Sequence, residues 1–322
     1  MYKQDSPNTI KIELTEGCNL KCSFCGINGI REKSGNFKFL TVELARILSD
    51  QIKDSNWKTK IEFTMHGEPL MNPEVLEILN IFRNTLPKLQ LMITSNSLPL
   101  LKPPGIEENI NSLFNAGLNI LAIDCYKASE KVWRKIPDLT FEGVEVSHYP
   151  GGPSPNLRYN VKEKRVILIK GMDSDDVDGK LGNRIISNHI GAAAPVDKKL
   201  PYEKRCARPF RELSVRWDGR ISLCCNDWRG EYKCGDVKKE MIYDIWQNEF
   251  FTAARKKLYH KDRKFGICVK CDNTSFRVGI LPDKVGKKSL PKPNKQDEDA
   301  IKKATKGSSY TVAVLRPWEL TK

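Results

Sequence analysis

Residues 10–25 read IKIELTEGCNLKCSFC, a stretch in which an alternating apolar pattern leads into three closely spaced cysteines. The alternation of apolar and polar residues from Ile10 to Leu14 predicts a β-strand that runs into a loop holding Cys18, Cys22 and Cys25. Thiolates bind iron–sulfur clusters, and three of them leave one iron of a cubane open to a ligand that the protein does not supply. Zinc is the weaker interpretation, because its structural sites use four ligands.

After this loop, the first half of the chain alternates strands with helices. Five further strands are predicted, at residues 61–65, 89–93, 120–123, 144–147 and 166–169. Helical apolar faces separate the first four strands of the series, and Gly117 is a C-cap candidate for the last of these helices. This alternation predicts a parallel α/β sheet or barrel, in which the chemistry lies at the carboxyl ends of the strands.

One connection departs from this pattern. Residues 150–155 read PGGPSP and lie between the predicted fifth and sixth strands, where a helix is expected. Proline and glycine disfavour a helix there. Either the last crossover is irregular or the sixth strand pairs differently.

The spacing of the three loop cysteines, C-x3-C-x2-C after a first strand, resembles the signature of the radical S-adenosylmethionine (radical SAM) superfamily. The resemblance implies a [4Fe–4S] cluster held by Cys18, Cys22 and Cys25, whose open iron binds the amino and carboxylate groups of SAM. It also implies that an electron from the cluster cleaves SAM to methionine and a 5′-deoxyadenosyl radical.

Further positions match the places where members of this superfamily hold SAM. The segment Gly67-Glu68-Pro69 resembles the GGEP motif, whose backbone and acidic side chain hold the amino group of SAM, and His66 stands where the family often has the first glycine. The other candidate SAM contacts are Phe24, which precedes the third cysteine, and Ser95, Asn96 and Asp124 at later strand ends. Loop capping and turn formation are the alternative roles of the last three.

A second set of cysteines lies in the C-terminal half, namely Cys206, Cys224, Cys268 and Cys271. Their spacing resembles the auxiliary-cluster domains of radical SAM enzymes, called SPASM and, in a shorter form, twitch. Because no cysteine follows Cys271, the match is to twitch, which implies a single auxiliary [4Fe–4S] cluster with four thiolate ligands and no open iron. A zinc site with four cysteines is the alternative, since the spacing alone does not separate the two.

Other candidate groups have no such pattern. We interpret Cys125 as a buried core thiol, and Cys225 and Cys234 as small packing residues, although Cys225 or Cys234 could replace one cluster ligand. His148 and His189 could act as acid–base groups, but ordinary loop positions explain both.

The sequence divides into a radical SAM core at residues 1–182, an auxiliary-cluster domain at 183–275 and a basic, flexible tail at 276–322. The resemblance implies a partial (β/α)6 barrel for the core and a small α+β domain with a β-hairpin after it. Asp218-Gly219 predicts a two-residue hairpin turn, and short helices are predicted at 241–246 and 250–258. Within the tail, residues 310–315 could add an edge strand.

The charge of the chain is unevenly distributed. The net charge is +14, and residues 198–322 carry all of it, with 30 Lys and Arg against 16 Asp and Glu. An anionic partner there would be nucleic acid, near the lysines at 284, 287, 288, 292 and 295, or an acidic electron donor such as flavodoxin or ferredoxin. A solvated basic surface is the alternative.

No part of the sequence predicts a membrane protein. Met1 to Thr9 is too polar for a signal peptide, and no apolar stretch is long enough to span a bilayer. We therefore expect a soluble, cytoplasmic protein, in which closely spaced cysteines more often bind metal than form disulfides.

Three functions are consistent with these features. The first is a radical SAM oxidoreductase that oxidises or cross-links a sugar-like small molecule or a peptide side chain, with the auxiliary cluster as electron acceptor. The second is radical modification of a nucleotide or nucleic acid. The third is a non-catalytic iron–sulfur or zinc-binding module, which would need no Gly-Glu-Pro loop.

Overall fold

The computed structural model describes residues 6–22, 24–30, 37–149, 161–169, 180–181, 184–185, 188–191, 199–273 and 290–308. Its strands are β1 (Thr9–Ile12), β2 (Thr15–Glu16), β3 (Lys38–Phe39), β4 (Lys60–Phe63), β5 (Leu91–Ser95), β6 (Ile120–Asp124), β7 (Val144–Tyr149), β8 (Lys164–Ile169), β9 (Lys180–Leu181), β10 (Arg184–Ile185), β11 (Glu212–Val215), β12 (Arg220–Ser222) and β13 (Lys233–Asp236). Its α-helices are α1 (Val42–Asp54), α2 (Val75–Thr85), α3 (Ile106–Asn115), α4 (Glu130–Lys135), α5 (Arg208–Arg211), α6 (Ile242–Gln247), α7 (Glu249–Tyr259) and α8 (Lys295–Ala304).

A nine-stranded sheet forms the centre of the molecule. Its strand order is β13-β12-β11-β1-β4-β5-β6-β8-β7, and every neighbouring pair from β11 to β7 is parallel. Strands β12 and β13 are antiparallel and extend the same sheet beyond β11. The architecture is a partial barrel followed by a C-terminal α/β region, which confirms the expected fold class. The domain boundary at residue 182 stays a prediction, because β11 pairs directly with β1.

The last two strands of the barrel lie in an order that differs from a regular (β/α)6 series. Strand β8 lies between β6 and β7, so the sixth strand pairs with the fourth and the fifth strand lies at the edge. A regular barrel places its strands in chain order, so the structure confirms the second of the two alternatives, in which the sixth strand pairs differently. The residues that link these strands, 150–160, include the PGGPSP stretch and fall outside the described residues.

Alternating side chains separate the two faces of the sheet. Ile10 and Ile12 of β1, and Ile61 and Phe63 of β4, are fully buried in the hydrophobic core that α1 and α2 share. The intervening residues, with Lys11 as an example, lie on the opposite face and are partly exposed. This second face is the inner surface of the partial barrel.

Local signals in the sequence explain how the helices begin and end. Thr41 caps α1 by accepting a hydrogen bond from the backbone N–H of Leu44. Gly117 follows α3 with a φ of +104°, which confirms it as the residue that ends this helix. Helices α6 and α7 cover the two predicted short helices closely.

The hairpin turn is longer than expected. The backbone N–H of Arg216, directly after β11, donates to the carbonyl of Arg220, the first residue of β12, so the loop between them contains three residues rather than two. Gly219 occupies the last of these positions with a φ of +89°, as in a type I turn followed by a left-handed residue. The Asp-Gly pair predicts the hairpin correctly but not its loop length.

The C-terminal segment is not wholly a flexible tail. Helix α8 begins with a capping box between Asn294 and Asp297, and it packs on α7. The Asp297 carboxylate also forms a salt bridge with the Lys256 ammonium, at 2.8 Å. Part of the positive charge of the C-terminal region is therefore neutralised within the fold. The expectation of a flexible tail is therefore wrong for residues 290–308. Residues 284, 287 and 288 and the candidate strand at 310–315 lie outside the described residues.

Among the described residues, no helix combines the length and the apolar character needed to cross a bilayer.

Truncating a buried side chain of α8 tests the packing of this helix. Ile301 is buried against α7, so Ile301→Ala should lower the stability of the protein by about 2 to 3 kcal/mol. The midpoint of thermal unfolding of the anaerobically purified protein measures the loss. Lys302→Ala, on the exposed side of the same helix, is the control and should leave the midpoint almost unchanged. Equal midpoints for both variants would contradict the packing of α8.

Candidate active site

The first cysteine loop follows β2 at the carboxyl end of the parallel strands. Cys18, Cys22 and Cys25 are partly exposed and form no disulfide. The backbone N–H of Leu20 donates to the Cys18 thiol sulfur at 3.4 Å, and a short 3-10 helix, Gly26–Gly29, begins directly after Cys25. Three accessible thiols in one short loop fit the donor set of a cubane with one open iron.

The Gly-Glu-Pro loop lies against the cysteine loop through its backbone. Gly67 pairs with Gly17 as an isolated parallel bridge, and the N–H of Glu68 donates to the Gly17 carbonyl at 2.9 Å. A Cβ atom on Gly67 would lie 2.1 Å from the Thr15 carbonyl oxygen. Only glycine allows this approach, which explains the glycine of the motif. Pro69 is buried and begins a 3-10 helix, Pro69–Met71.

The Glu68 carboxylate accepts three hydrogen bonds. One oxygen accepts from the Ser95 hydroxyl at 2.7 Å and from the N–H of Leu70 at 3.1 Å, and the other accepts from the N–H of Asn96 at 2.7 Å. Burial raises the pKa of Glu68 to about 7, although these donors oppose the shift. The carboxylate thus joins the carboxyl end of β5 to the loop after β4.

Asn96 connects this group to the first cysteine. Its side-chain amide donates to the Cys18 sulfur at 3.5 Å and to the Asn19 side-chain oxygen at 2.8 Å. The structure therefore brings Cys18, Glu68, Ser95 and Asn96 into one hydrogen-bonded set.

Tyr126 is a site residue that sequence reasoning missed. Its ring stacks on Phe24 with centroids 6.2 Å apart, and its hydroxyl donates to the Asp124 carboxylate at 3.5 Å. Burial, followed by the charges of Asp124, Cys22 and Cys25, raises the pKa of Tyr126 well above its usual range. Its position directly after the carboxyl end of β6 was the signal that could have identified it.

A buried charged network lies behind the Gly-Glu-Pro loop. The His66 ring bonds to the Glu13 carboxylate through one nitrogen, at 2.7 Å, and to the Cys225 carbonyl through the other, also at 2.7 Å. Arg216 donates to the Glu16 carboxylate and to the carbonyls of Asp227 and Trp228, both at 3.1 Å. His66 therefore does more than replace a glycine, because it links the loop after β4 to the segment after β12.

The four cysteines of the second set line one cavity. Cys224 and Cys268 are buried, and burial together with neighbouring thiols raises the pKa of both well above the usual range. Such crowding of thiols needs a compensating positive charge before all four can ionise, and the iron of a cluster supplies it. The side-chain amide of Asn226 also approaches the Cys271 sulfur, at 3.9 Å. In the described part of the chain, no three His, Cys, Asp or Glu side chains are placed to hold a single metal ion.

The remaining cysteines have three different environments. Cys234 is fully buried in β13, as expected of a packing residue. Cys125 is only partly buried, so it is not a core thiol. Cys225 is not a packing residue either, because its sulfur accepts from Arg208 at 2.6 Å and lies 3.9 Å from the Lys11 ammonium.

Residues 224–228, which we call the bridging segment, connect the two cysteine sets. Cys224 lies in the cavity of the second set, while the indole of Trp228 lies against Gly26 of the first cysteine loop. A Cβ atom on Gly26 would come within 2.3 Å of this indole. The bridging segment therefore spans the distance between the two sites within five residues.

The two candidate histidines lie in different places. The His189 ring contacts the Trp228 ring edge-on, with centroids 5.1 Å apart, and burial lowers the pKa of His189 to about 4. Its imidazole is therefore neutral at physiological pH. His148 is exposed on β7 and contacts Trp133.

Comparison with known families matches both cysteine sets. The model of the radical SAM superfamily matches residues 12–146. The model of the iron–sulfur cluster-binding domain SPASM matches residues 206–272. Each matched range contains one complete set of candidate ligands.

Two curated proteins are similar to long parts of the chain. An S-adenosyl-L-methionine-dependent 2-deoxy-scyllo-inosamine dehydrogenase from Niallia circulans is 23% identical over 272 residues, which cover 84% of this chain and 94% of that enzyme. A GTP 3′,8-cyclase from Shewanella denitrificans is 23% identical over 243 residues, which cover 74% of this chain and 61% of that enzyme.

Solved structures show a similar fold. The crystal structure of BtrN in complex with AdoMet and 2-DOIA superposes with a TM-score of 0.62 and 19% identity, covering 85% of this chain and 96% of that one. BtrN in an open conformation gives a TM-score of 0.55 with 20% identity, covering 85% of this chain and 94% of that one.

Adding a methyl group at Gly67 tests the contact between the two loops. Gly67→Ala should separate the Gly-Glu-Pro loop from the cysteine loop, so bound iron after anaerobic reconstitution should fall toward the content of one cluster, about four per chain. Gly143→Asn is the control, because a Cβ at Gly143 meets no atom within 4 Å and asparagine tolerates its φ of +66°. Full iron content in Gly67→Ala would show that the close backbone approach is not required.

Proposed function

Since the chain belongs to the radical SAM superfamily and carries a SPASM-type iron–sulfur cluster-binding domain, we propose that it oxidises a hydroxyl group of a sugar-like small molecule, such as an aminocyclitol, to a ketone. It is an oxidoreductase whose cofactors are SAM, a SAM-binding [4Fe–4S] cluster and an auxiliary iron–sulfur cluster. When bound, these groups supply a 5′-deoxyadenosyl radical that takes a hydrogen atom from the substrate and an acceptor for the second electron.

Named residues take the binding roles in this proposal. Cys18, Cys22 and Cys25 would hold the first cluster, and Cys206, Cys224, Cys268 and Cys271 the auxiliary one. Glu68 would hold the amino group of SAM, and Phe24, Gly67, Pro69, Ser95, Asn96 and Asp124 would line its site, joined by Tyr126. The contacts of Asn96 with Cys18 and of Tyr126 with Phe24 support this arrangement.

The bridging segment is the feature of the structure that supports a two-electron oxidation most directly. A two-electron oxidation needs a second redox group near the place where the first hydrogen atom is removed. Cys224 and Trp228 belong to one five-residue segment that contacts both cysteine sets. Four thiolates also leave no iron open to substrate, which favours electron acceptance over substrate binding.

The inner surface of the partial barrel supports a polar substrate. Lys11 forms salt bridges there with Glu62 at 3.8 Å and with Glu212 at 3.4 Å, and Thr94 lies on the same face of β5. Charged and hydroxyl groups suit the hydrogen-bonding groups of a polyol or amino sugar. The similarity to the dehydrogenase along nearly its whole length agrees with this substrate class.

Removing the auxiliary ligands tests the electron-acceptor role. In the double variant Cys268→Ala/Cys271→Ala, SAM should still be cleaved, while ketone formation from 2-deoxy-scyllo-inosamine should be lost because the second electron has no acceptor. Mass spectrometry of 5′-deoxyadenosine and of the ketone measures both steps in soluble, reconstituted protein. Cys234→Ala is the matched control and should keep both products. A normal ketone yield from the double variant would contradict the proposal.

The pH dependence of SAM binding tests the role of Glu68. Since its pKa is raised to about 7, this carboxyl is mostly protonated at pH 6 and mostly ionised at pH 8. Only the ionised form has both oxygens free to accept hydrogen bonds, so the affinity for SAM should rise with pH through this range.

The variant Glu68→Gln has no such titration. Between pH 6 and pH 8, the affinity of wild type for SAM should therefore rise by a factor about ten times larger than does the affinity of Glu68→Gln. Anaerobic equilibrium titration of reconstituted protein measures both curves. Parallel curves would show that Glu68 does not act on SAM through its charge.

A nucleotide substrate is the second candidate. The similarity to a GTP 3′,8-cyclase over 74% of this chain favours it. Offering GTP and the aminocyclitol in parallel assays separates the two, because SAM cleavage coupled to product should occur with one substrate only.

A further inference from the structure

Arg208, at the start of α5, lies between the auxiliary cysteines and the inner surface of the barrel. It lines the same cavity as Cys206, Cys224, Cys268 and Cys271, and only 8% of its surface is exposed. One guanidinium nitrogen, Nη1, donates to the Glu212 carboxylate at 3.0 Å and to the Cys225 sulfur at 2.6 Å.

The Nε–H of Arg208 is buried and has no hydrogen-bond partner among the residues that the structure describes. A buried donor without a partner costs about 1 to 3 kcal/mol, so such groups usually have a function or a ligand. Arg263 lines the same cavity, but all three of its guanidinium nitrogens have hydrogen-bond partners. Its Nε, Nη1 and Nη2 donate to the backbone carbonyls of Lys204, Asn273 and Arg205, respectively.

We propose that Arg208 donates its Nε–H to a sulfur atom of the auxiliary cluster and thereby raises the reduction potential of that cluster. A donor and a positive charge stabilise the more negative, reduced state of a cluster more than its oxidised state. Arg208 is thus a positioning and tuning residue rather than a catalytic one. This inference rests on the proposed function, because it concerns the group that accepts the second electron.

A higher reduction potential of the auxiliary cluster would favour the second electron transfer of the proposed oxidation. After a hydrogen atom leaves the carbinol carbon, one electron must pass from the substrate radical to the auxiliary cluster and the hydroxyl proton must pass to water, which completes the ketone. Arg208 and Cys224 line the same cavity, so the positive charge of the guanidinium lies beside the ligands of the second set. The Glu212 carboxylate forms a salt bridge with Arg208 but also one with Lys11. It therefore balances only part of the positive charge of Arg208.

The experiment compares Arg208→Lys with Arg208→Met in the anaerobically reconstituted holoenzyme. Lysine keeps the charge but has no Nε–H at that position, whereas methionine has neither. Potentiometric titration followed by electron paramagnetic resonance gives the potential of each cluster, and added SAM identifies the first cluster because only its signal should change. We expect a lower auxiliary potential in Arg208→Lys, a still lower one in Arg208→Met, and an unchanged potential of the first cluster.

A second readout detects the hydrogen bond itself. In wild type, electron–nuclear double resonance of the reduced auxiliary cluster should show coupling to a proton that exchanges in D2O and to nitrogen from 15N-arginine. Both couplings should be absent in Arg208→Lys. Arg263→Lys is the matched control, because each guanidinium nitrogen of Arg263 already donates to a backbone carbonyl, and it should retain both the wild-type potential and the couplings.

Different results would contradict the role of Arg208 and the presence of an auxiliary cluster. A wild-type potential in both Arg208 variants, or an equal fall in Arg263→Lys, would overturn the role of Arg208 while leaving the auxiliary cluster in place. A holoenzyme with no second iron–sulfur signal, or with zinc at the four cysteines, would overturn the proposed function together with the inference.

Discussion

The buried ion pairs of Arg216 hold the two cysteine sets in a fixed relation. This arginine is almost fully buried at the end of β11, yet it bonds to Glu16 beside the first cysteine loop and to the carbonyls of Asp227 and Trp228. Breaking a buried pair by removing one partner costs about 3 to 5 kcal/mol, because a charge is left without compensation. The position of the bridging segment, and with it the spacing of the two candidate cluster sites, depends on this network.

Continuity of the sheet gives this network its rigid support. Strand β11 pairs in parallel with β1, which places the hairpin of the C-terminal region directly beside the strand that leads into the first cysteine loop. A shared sheet fixes position better than a flexible linker, since β11 and β1 are held together by backbone hydrogen bonds along their paired length. Two cysteine sets separated by 180 intervening residues, between Cys25 and Cys206, are thus joined by adjacent strands of one sheet.

Features encoded locally could be predicted, whereas those encoded by distant pairing could not. The cysteine spacings, the strand–helix alternation and the glycine after α3 are all visible within short windows of sequence. The position of β8 between β6 and β7 depends on contacts between strands, and the partners of Arg216 come from two separate segments, one at Glu16 and one at Asp227 and Trp228. Helix α8 was missed for another reason, because the lysine- and proline-rich composition around it concealed the capping box at Asn294.

The central claim is that Cys18, Cys22 and Cys25 support reductive cleavage of SAM, and one measurement tests it directly. Anaerobically reconstituted protein is incubated with dithionite and SAM, and 5′-deoxyadenosine is quantified for wild type, Cys22→Ala and Cys125→Ala. Cys125 is a partly buried thiol of the same barrel that the proposed ligand set does not include. Wild type and Cys125→Ala should release 5′-deoxyadenosine and Cys22→Ala should release none, whereas wild-type release from Cys22→Ala would contradict the claim.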